Sequence, residues 1–358
     1  MCKLTKSIYT KRLSWLDILV IVSSAIFTTL FMICLGIEST AHTFGVGIVN
    51  TKGKILANSK DSYQTEKGGI NPSDAKKHHA DVSNKVLENA LNMGNLNIND
   101  IDLISISQGP GLAPCILVGM KIAKELAKSN NLPLIGVNHC IAHLEIGRLF
   151  SKVDDPLLLY VSGANTQIIA YEGKKYRVFG ETLDQGAGNF IDSFARYIGL
   201  GFPGGPKIEQ LAKKGCRYIE LPYTIKGMDV SFTGLLTNLK HKFDSKSYTN
   251  EDLAFSLQET AFSMLVEVTE RAMAHCDKSE LVLGGGVACN KRLVEMCKIM
   301  CQERGAKGYV PDIQYLVDNG AMIGWLGILQ KEMATTKYEE IDIAPYQRTD
   351  DVEVYWRY

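Results

Sequence analysis

The sequence predicts an α/β protein of two lobes with a cleft between them, each lobe built on the same plan. Three observations carry this expectation. A three-strand meander of short apolar runs, bounded by glycine- and asparagine-bearing turns, begins near residue 33 and recurs near residue 157. After each meander, segments with helical apolar spacing alternate with single apolar strands, the pattern of crossover connections. At 358 residues, 46% hydrophobic and 22% charged, the chain is long enough for two domains of ordinary size.

The first lobe opens with residues 33–37, an uninterrupted apolar run read as a buried strand. Residues 45–49 form the next strand, 50–53 (Asn-Thr-Lys-Gly) a turn, and 54–58 begin a third strand. Residues 78–92 set Ala80, Val82, Val86, Leu87, Ala90 and Leu91 at helical spacing. A strand over 101–106 runs into the loop 108–111 (Gln-Gly-Pro-Gly), and a helix over 117–128 leads to a strand over 134–137. The second lobe repeats the order. Strands over 157–161, 167–171 and 176–179 make its meander, and a helix covers 189–198. A long helix over 252–275 precedes a strand at 281–283, the triple-glycine loop 284–286 and a helix over 291–302. The expected division is lobe I over 32–155, lobe II over 156–310, and a C-terminal segment, 311–358, returning to lobe I. Each half carries a small-residue turn, 38–41 (Glu-Ser-Thr-Ala) and 162–164 (Ser-Gly-Ala); facing turns of this kind can hold a phosphate chain.

Composition narrows the function. Lysine plus arginine equals aspartate plus glutamate, 39 each, so no global basic field announces a nucleic-acid binder. Any such contact is a local patch or is shared with partners. The nine cysteines contain no Cys-x-x-Cys pair and read as reduced thiols of a cytoplasmic enzyme. Residues 1–31 stand apart. Lys3, Lys6, Lys11 and Arg12 precede an apolar stretch, 16–35, in which Asp17 is the one charge. A signal peptide, a membrane anchor and an extended start site are the alternatives. The stretch flows into the strand at 33–37 without linker or cleavage signal, which favours translation from Met32 over anchoring.

The most chemical feature is His139 with His143. A strand ending at Asn138 delivers His139 to its carboxyl edge, and a helix starting there puts His143 one turn on, facing the same point. Two imidazoles on one helical face are the usual beginning of a metal site. Two buried histidines satisfied by backbone carbonyls are the alternative. The nearby 162–164 turn offers N–H groups to an anion. A metal-dependent endopeptidase is the rival enzyme. A zinc peptidase helix, however, places its glutamate base directly after the first histidine, and here that position is Cys140.

These residues belong to a longer series. Gly36-Ile-Glu-Ser-Thr-Ala41, Ser107-Gln-Gly-Pro-Gly-Leu112, Gly136-Val-Asn-His-Cys-Ile-Ala-His143 and Tyr160-Val-Ser-Gly-Ala-Asn-Thr-Gln167 occur in order. Glu181-Thr-Leu-Asp184, Gly204-Gly-Pro206, Asp229-Val-Ser-Phe-Thr-Gly-Leu235, Gly284-Gly-Gly-Val-Ala-Cys-Asn290 and Asp318-Asn-Gly-Ala-Met322 continue it. Together they resemble the archaeal and eukaryotic branch of the tRNA threonylcarbamoyladenosine transferase family, over essentially all of 32–356. The resemblance implies the bilobal fold shared by actin, the seventy-kilodalton chaperone and sugar kinases, with two duplicated ribonuclease-H-like lobes and a central cleft.

It also implies roles. His139, His143, Tyr160 and Asp318 resemble the ligands of one divalent metal per subunit, iron before zinc or magnesium. Tyr160, Val161, Ser162, Gly163 and Ala164, with Asp192, Gly205, Glu209 and Asn290, match positions that bind the adenylate. For Asp192, placed early in its helix, pairing with the helix N-terminus is the alternative. The implied reaction moves a threonylcarbamoyl group from threonylcarbamoyl-AMP to the exocyclic amine of the adenosine beside the anticodon, in tRNAs reading ANN codons. Glu38 is a candidate base by position, with a strand-end carboxylate capping the next turn as its alternative. The implied partners are tRNA, a separate small kinase with ATPase activity and the other subunits of a KEOPS-type complex, with no DNA. Three positions depart from the family pattern: Leu117 where arginine is common, Cys289 where a small residue is expected, and Gly324 where alanine is usual.

Overall fold

The computed structural model describes residues 31–65 and 69–357. Apart from Phe31, the leader over 1–31 therefore lies outside the described residues. Among the described residues, no helix is long and apolar enough to cross a membrane.

The first half runs β1 (Ile33–Glu38), β2 (Thr43–Asn50), β3 (Ile55–Ser62), α1 (Pro72–Gly94), β4 (Leu103–Gly109), α2 (Ala113–Asn130), β5 (Leu134–Asn138) and α3 (His139–Ser151). Its sheet has the order β3-β2-β1-β4-β5, antiparallel through the meander and parallel from β1 to β5. The second half begins with β6 (Leu157–Val161), β7 (Thr166–Glu172), β8 (Lys175–Glu181), α4 (Ala187–Tyr197) and α5 (Gly205–Ala212). A short hairpin, β9 (Ile225–Lys226) and β10 (Asp229–Val230), leads to α6 (Thr233–Asp244) and the long α7 (Asn250–His275). Then come β11 (Glu280–Gly284), α8 (Lys291–Glu303), β12 (Lys307–Tyr309), α9 (Ile313–Leu316) and α10 (Gly320–Leu329). The second sheet is ordered β12-β11-β6-β7-β8. Each half thus places its third, second, first, fourth and fifth strands in the same sequence, with the same change from antiparallel to parallel. The duplication expected from the sequence is present strand for strand.

Element edges differ for identifiable reasons. Helix α1 starts six residues before the apolar spacing does. Its first turn is exposed, and its start is set by the Asn71 side chain accepting from the Ser73 N–H at 2.9 Å with Pro72 as first helical residue. Helix α10, Gly-Ala-Met-Ile-Gly-Trp-Leu-Gly-Ile-Leu, escapes a periodicity search because it is buried almost all round and has no polar face. A Cβ on Gly36 of β1 would lie 2.1 Å from the Gly324 nitrogen, and one on Gly47 of β2 2.1 Å from the Ala321 nitrogen. Helix backbone therefore rests directly on sheet backbone. At Gly324 itself an added Cβ would meet Val49 Cγ1 at 2.9 Å, so the missing methyl is accommodated by this close approach.

Each half has its own apolar core, and a third lies between the sheets. The third joins Cys140 and Leu144 of α3, Leu158 and Val282 of the second sheet, and Met322 and Leu326 of α10. Burial of a leucine such as Leu144 contributes about 1.5–3 kcal/mol. The C-terminal segment touches both sheets. It follows the first sheet through α10 and the Ala344 N–H bond to the Gln108 carbonyl at 2.7 Å. Its last residues cross to the second sheet, where Glu353 bridges to Lys175 of β8.

Candidate metal centre

The site begins with a strand that stops. The Asn138 side-chain oxygen accepts from the N–H groups of Cys140 and Ile141 at 3.0 and 3.1 Å, ending β5 and starting α3 at His139. His139 and His143 then lie one turn apart, ring centroids 4.8 Å from each other. Asp318 arrives just ahead of α10. One of its carboxylate oxygens is 3.3 Å from His143 Nε2 and 3.5 Å from His139 Nε2. Tyr160, on β6, brings its hydroxyl to 3.1 Å from His139 Nε2. The ligand atoms of His139, His143 and Asp318 all lie within 4.8 Å of one another.

This donor set fits a divalent cation. Both Nε2 atoms face the same carboxylate. His139 Nδ1 is occupied by Glu38 Oε2 at 2.9 Å and Thr40 Oγ1 at 3.2 Å. A carboxylate there holds the proton on Nδ1 and leaves the Nε2 lone pair for a metal. His143 Nδ1 is buried and has no hydrogen-bond partner among the described residues. Without an ion the charges distort one another. Burial pushes His143 down; it opposes protonation of His139 too, but the Glu38 carboxylate outweighs it and holds that imidazole up at about 9. Burial alone would raise Asp318, yet the two imidazoles hold it well below the usual carboxylate range. Burial pushes the Tyr160 phenol well above its ordinary value.

Glu38, expected as a candidate base with capping of the next turn as the alternative, makes the contacts of that cap and of a histidine partner. It is fully buried, Oε1 accepts from the Thr40 N–H at 2.6 Å and from the Thr40 hydroxyl at 2.5 Å, and Oε2 faces His139. Oε1 thus caps the turn through Thr40, and Oε2 is set against the histidine. Sequence reasoning also missed Thr40 and Lys60, whose Nζ reaches the Asp318 carbonyl at 3.4 Å. The Glu-x-Thr spacing was the visible signal for Thr40. For Lys60, alternation along β3 places it on the face opposite Ala57 and Ser59, both buried.

The positions expected to bind the adenylate have identifiable local contacts. Val161 ends β6, and the exposed residues Gly163 and Ala164 have N–H groups without a protein acceptor among the described residues. The loop after β11 runs alongside. Gly285 has φ +89°, and a Cβ there would sit 2.4 Å from the Val161 carbonyl oxygen, so only glycine passes. Ser162 is tied internally, its N–H to the Asn165 carbonyl at 2.8 Å. Asp192 lies midway along α4, not early in a helix as expected. Its Oδ1 accepts from the Gly204 N–H at 2.7 Å, just before α5, and burial raises its pKa. Gly205 opens α5 with free space where a side chain would be. Glu209 Oε1 is 3.1 Å from Lys213 Nζ but at an angle that makes no hydrogen bond. Asn290 caps α8 through Oδ1, and its Nδ2 donates to Gln258 Oε1 at 2.7 Å.

A family model described as tRNA N6-adenosine threonylcarbamoyltransferase matches residues 54–325. The chain belongs to that family. A protein of Thermococcus kodakarensis with the same name is 55% identical over 326 residues, covering 91% of this chain and 100% of the relative. A Methanocaldococcus jannaschii protein named probable bifunctional tRNA threonylcarbamoyladenosine biosynthesis protein is 52% identical, and the match spans 91% of this chain and 60% of that longer protein. Among solved structures, HypF of Thermococcus kodakarensis superposes with a TM-score of 0.60 at 14% identity, over 84% of this chain and 48% of HypF. Component A of (R)-2-hydroxyglutaryl-CoA dehydratase from Acidaminococcus fermentans gives 0.54 at 11% identity, over 85% and 99%. These two likenesses are of fold alone, and they agree with the actin-like α/β class expected from the sequence.

Proposed function

We propose that this chain transfers the threonylcarbamoyl group from threonylcarbamoyl-AMP to the exocyclic amine of the adenosine beside the anticodon of tRNA. In this reading it is the catalytic subunit of a KEOPS-type complex in the cytoplasm, working with a small kinase and further subunits. The single observation that carries the proposal is the convergence of His139, His143, Tyr160 and Asp318 in a member of this family.

Those four residues would hold one divalent metal, with iron the first candidate. When bound, it would supply Lewis-acid polarisation of the carbamoyl carbonyl. The protein's own part is binding and orientation. The free amides of Gly163 and Ala164 are suited to the phosphate, whose negative charge grows as AMP leaves. Asp192 keeps Oδ2, Glu209 keeps a carboxylate oxygen, and Asn290 keeps its second amide proton for the nucleoside. The amine nitrogen bonds the carbamoyl carbon, the bond from that carbon to the phosphate oxygen breaks, and AMP departs with the electron pair while the amine proton is lost. Peptide hydrolysis has less support: Cys140 holds the place of the base, and the Glu38 oxygens are engaged.

The test is reconstitution with tRNA, ATP, threonine, bicarbonate, an adenylate-forming synthase and candidate partner subunits, followed by nucleoside analysis. The expected result is threonylcarbamoyladenosine in the digest, dependent on this chain. A complete, metal-loaded mixture that leaves the adenosine unmodified while the chain cleaves peptides would replace this reading with the peptidase one.

A further inference from the structure

Helix α3 has a second buried face that the reaction does not use. Glu145 follows His143 by two residues, which at 3.6 residues per turn sets it on the far side of the helix from the ligand pair. The residue is 1% exposed. One oxygen accepts from the Tyr176 hydroxyl and from the Trp356 indole N–H at 2.7 Å; the other accepts from Arg148 at 2.7 Å. The next residue, Arg357, lies 4.0 Å over the Tyr171 ring and reaches the Asp155 carboxylate at 3.1 Å. The end of the described chain is therefore pinned between α3 and the meander of the second sheet.

A buried carboxylate is costly unless its oxygens are hydrogen-bonded, and here three donors reach them. Such a cluster is nevertheless weak evidence for stability, because apolar residues of equal volume often serve as well. What directional bonds add is a single setting of the helix. Rotation of α3 about its axis would swing both imidazoles away from Asp318 and Tyr160, and it would also break the bonds to Tyr176 and Trp356. We infer that Glu145, held by Tyr176 and Trp356, is a positioning residue that fixes the rotational setting of α3 and with it the aim of His139 and His143 at the metal. This rests on the metal reading proposed above.

The experiment uses the full chain and cobalt(II) as the probe ion. Trp356→Phe keeps the ring and removes the N–H; Tyr176→Phe removes only a hydroxyl; Glu145→Gln serves as the third variant. Cobalt affinity is measured by chelator competition, the ligand-field spectrum at saturation, and thermal unfolding without metal. The expected result is a loss of affinity of about tenfold in each phenylalanine variant, the lower end of what orienting partners of metal ligands contribute. The spectrum should shift at saturating cobalt, which a folded but merely less stable protein would not show. Wild-type affinity and spectrum in both phenylalanine variants, with only the melting temperature lowered, overturns the inference and leaves the metal reading standing. Wild-type chain that takes up no cobalt overturns both.

Discussion

Replacing Glu38 by glutamine removes one charge and almost no volume, at a carboxylate whose neighbours are all known. Oε1 serves the N–H and hydroxyl of Thr40, and Oε2 serves His139 Nδ1 at 2.9 Å. A glutamine must turn its oxygen to one side and its amide nitrogen to the other. With oxygen towards Thr40, the amide donates to His139 Nδ1 and forces the proton to Nε2, the atom a metal needs. With oxygen towards His139, the Thr40 N–H faces a donor. Either way a hydrogen bond to a charged group is lost, about 1.5–3 kcal/mol. Metal affinity should fall roughly tenfold to a hundredfold, by chelator competition near pH 8. The metal-free protein should show the pairing in its pH dependence. His139 is held up at about 9, above an unfolded value of about 6.5, so the pair's contribution is fully present below about pH 6.5 and is lost as pH rises through about 9. Glu38→Gln should flatten that window in a series of melting curves. Unchanged metal affinity together with an unchanged pH profile would refute the orienting role.

His139→Ala and His143→Ala should each abolish bound metal and transfer while the chain stays folded; stoichiometric metal in the double variant, by elemental analysis, would sink the ligand assignment. Asp192→Ala or Glu209→Ala should weaken a non-reactive adenylate analogue roughly tenfold to a hundredfold with metal content unchanged, read by calorimetry. Asp192→Ala should also lower the melting temperature, because it frees the Gly204 N–H. Gly36→Ala drives a methyl to 2.1 Å from the Gly324 nitrogen and should cost about 3 kcal/mol or more in denaturant unfolding; a variant as stable as wild type would show that α10 can lift off the sheet freely.

What could be read in advance follows from how local each signal is. The break between β5 and α3 was legible because the strand, the capping Asn138 and the histidines are consecutive. The duplicated meander was legible because its turns carry their own glycines and asparagines. Only half of Glu38's contacts were legible: its cap on the next turn is local, whereas its other partner is a histidine 101 residues away. Glu145 gave no signal, since two of its partners, Tyr176 and Trp356, lie 31 and 211 residues away. Helix α10 was missed because contact of its backbone with β1 and β2 leaves no amphipathic stripe. The expected metal ligands and adenylate positions came from ordered motifs, and the geometry brings His139, His143 and Asp318 within 4.8 Å of one another.

The four proposed metal ligands do not share a scaffold. Tyr160 stands on the second sheet, Asp318 is fastened through α10 to the first, and the histidines ride the helix packed between them. An ion seated among them would act as a rivet through all three layers. Reciprocity of linked equilibria then applies: whatever changes the angle between the sheets must change the grip on the ion, and loss of the ion must loosen that angle by the same free energy. Any ligand that altered that angle would then be felt at the ion without approaching it.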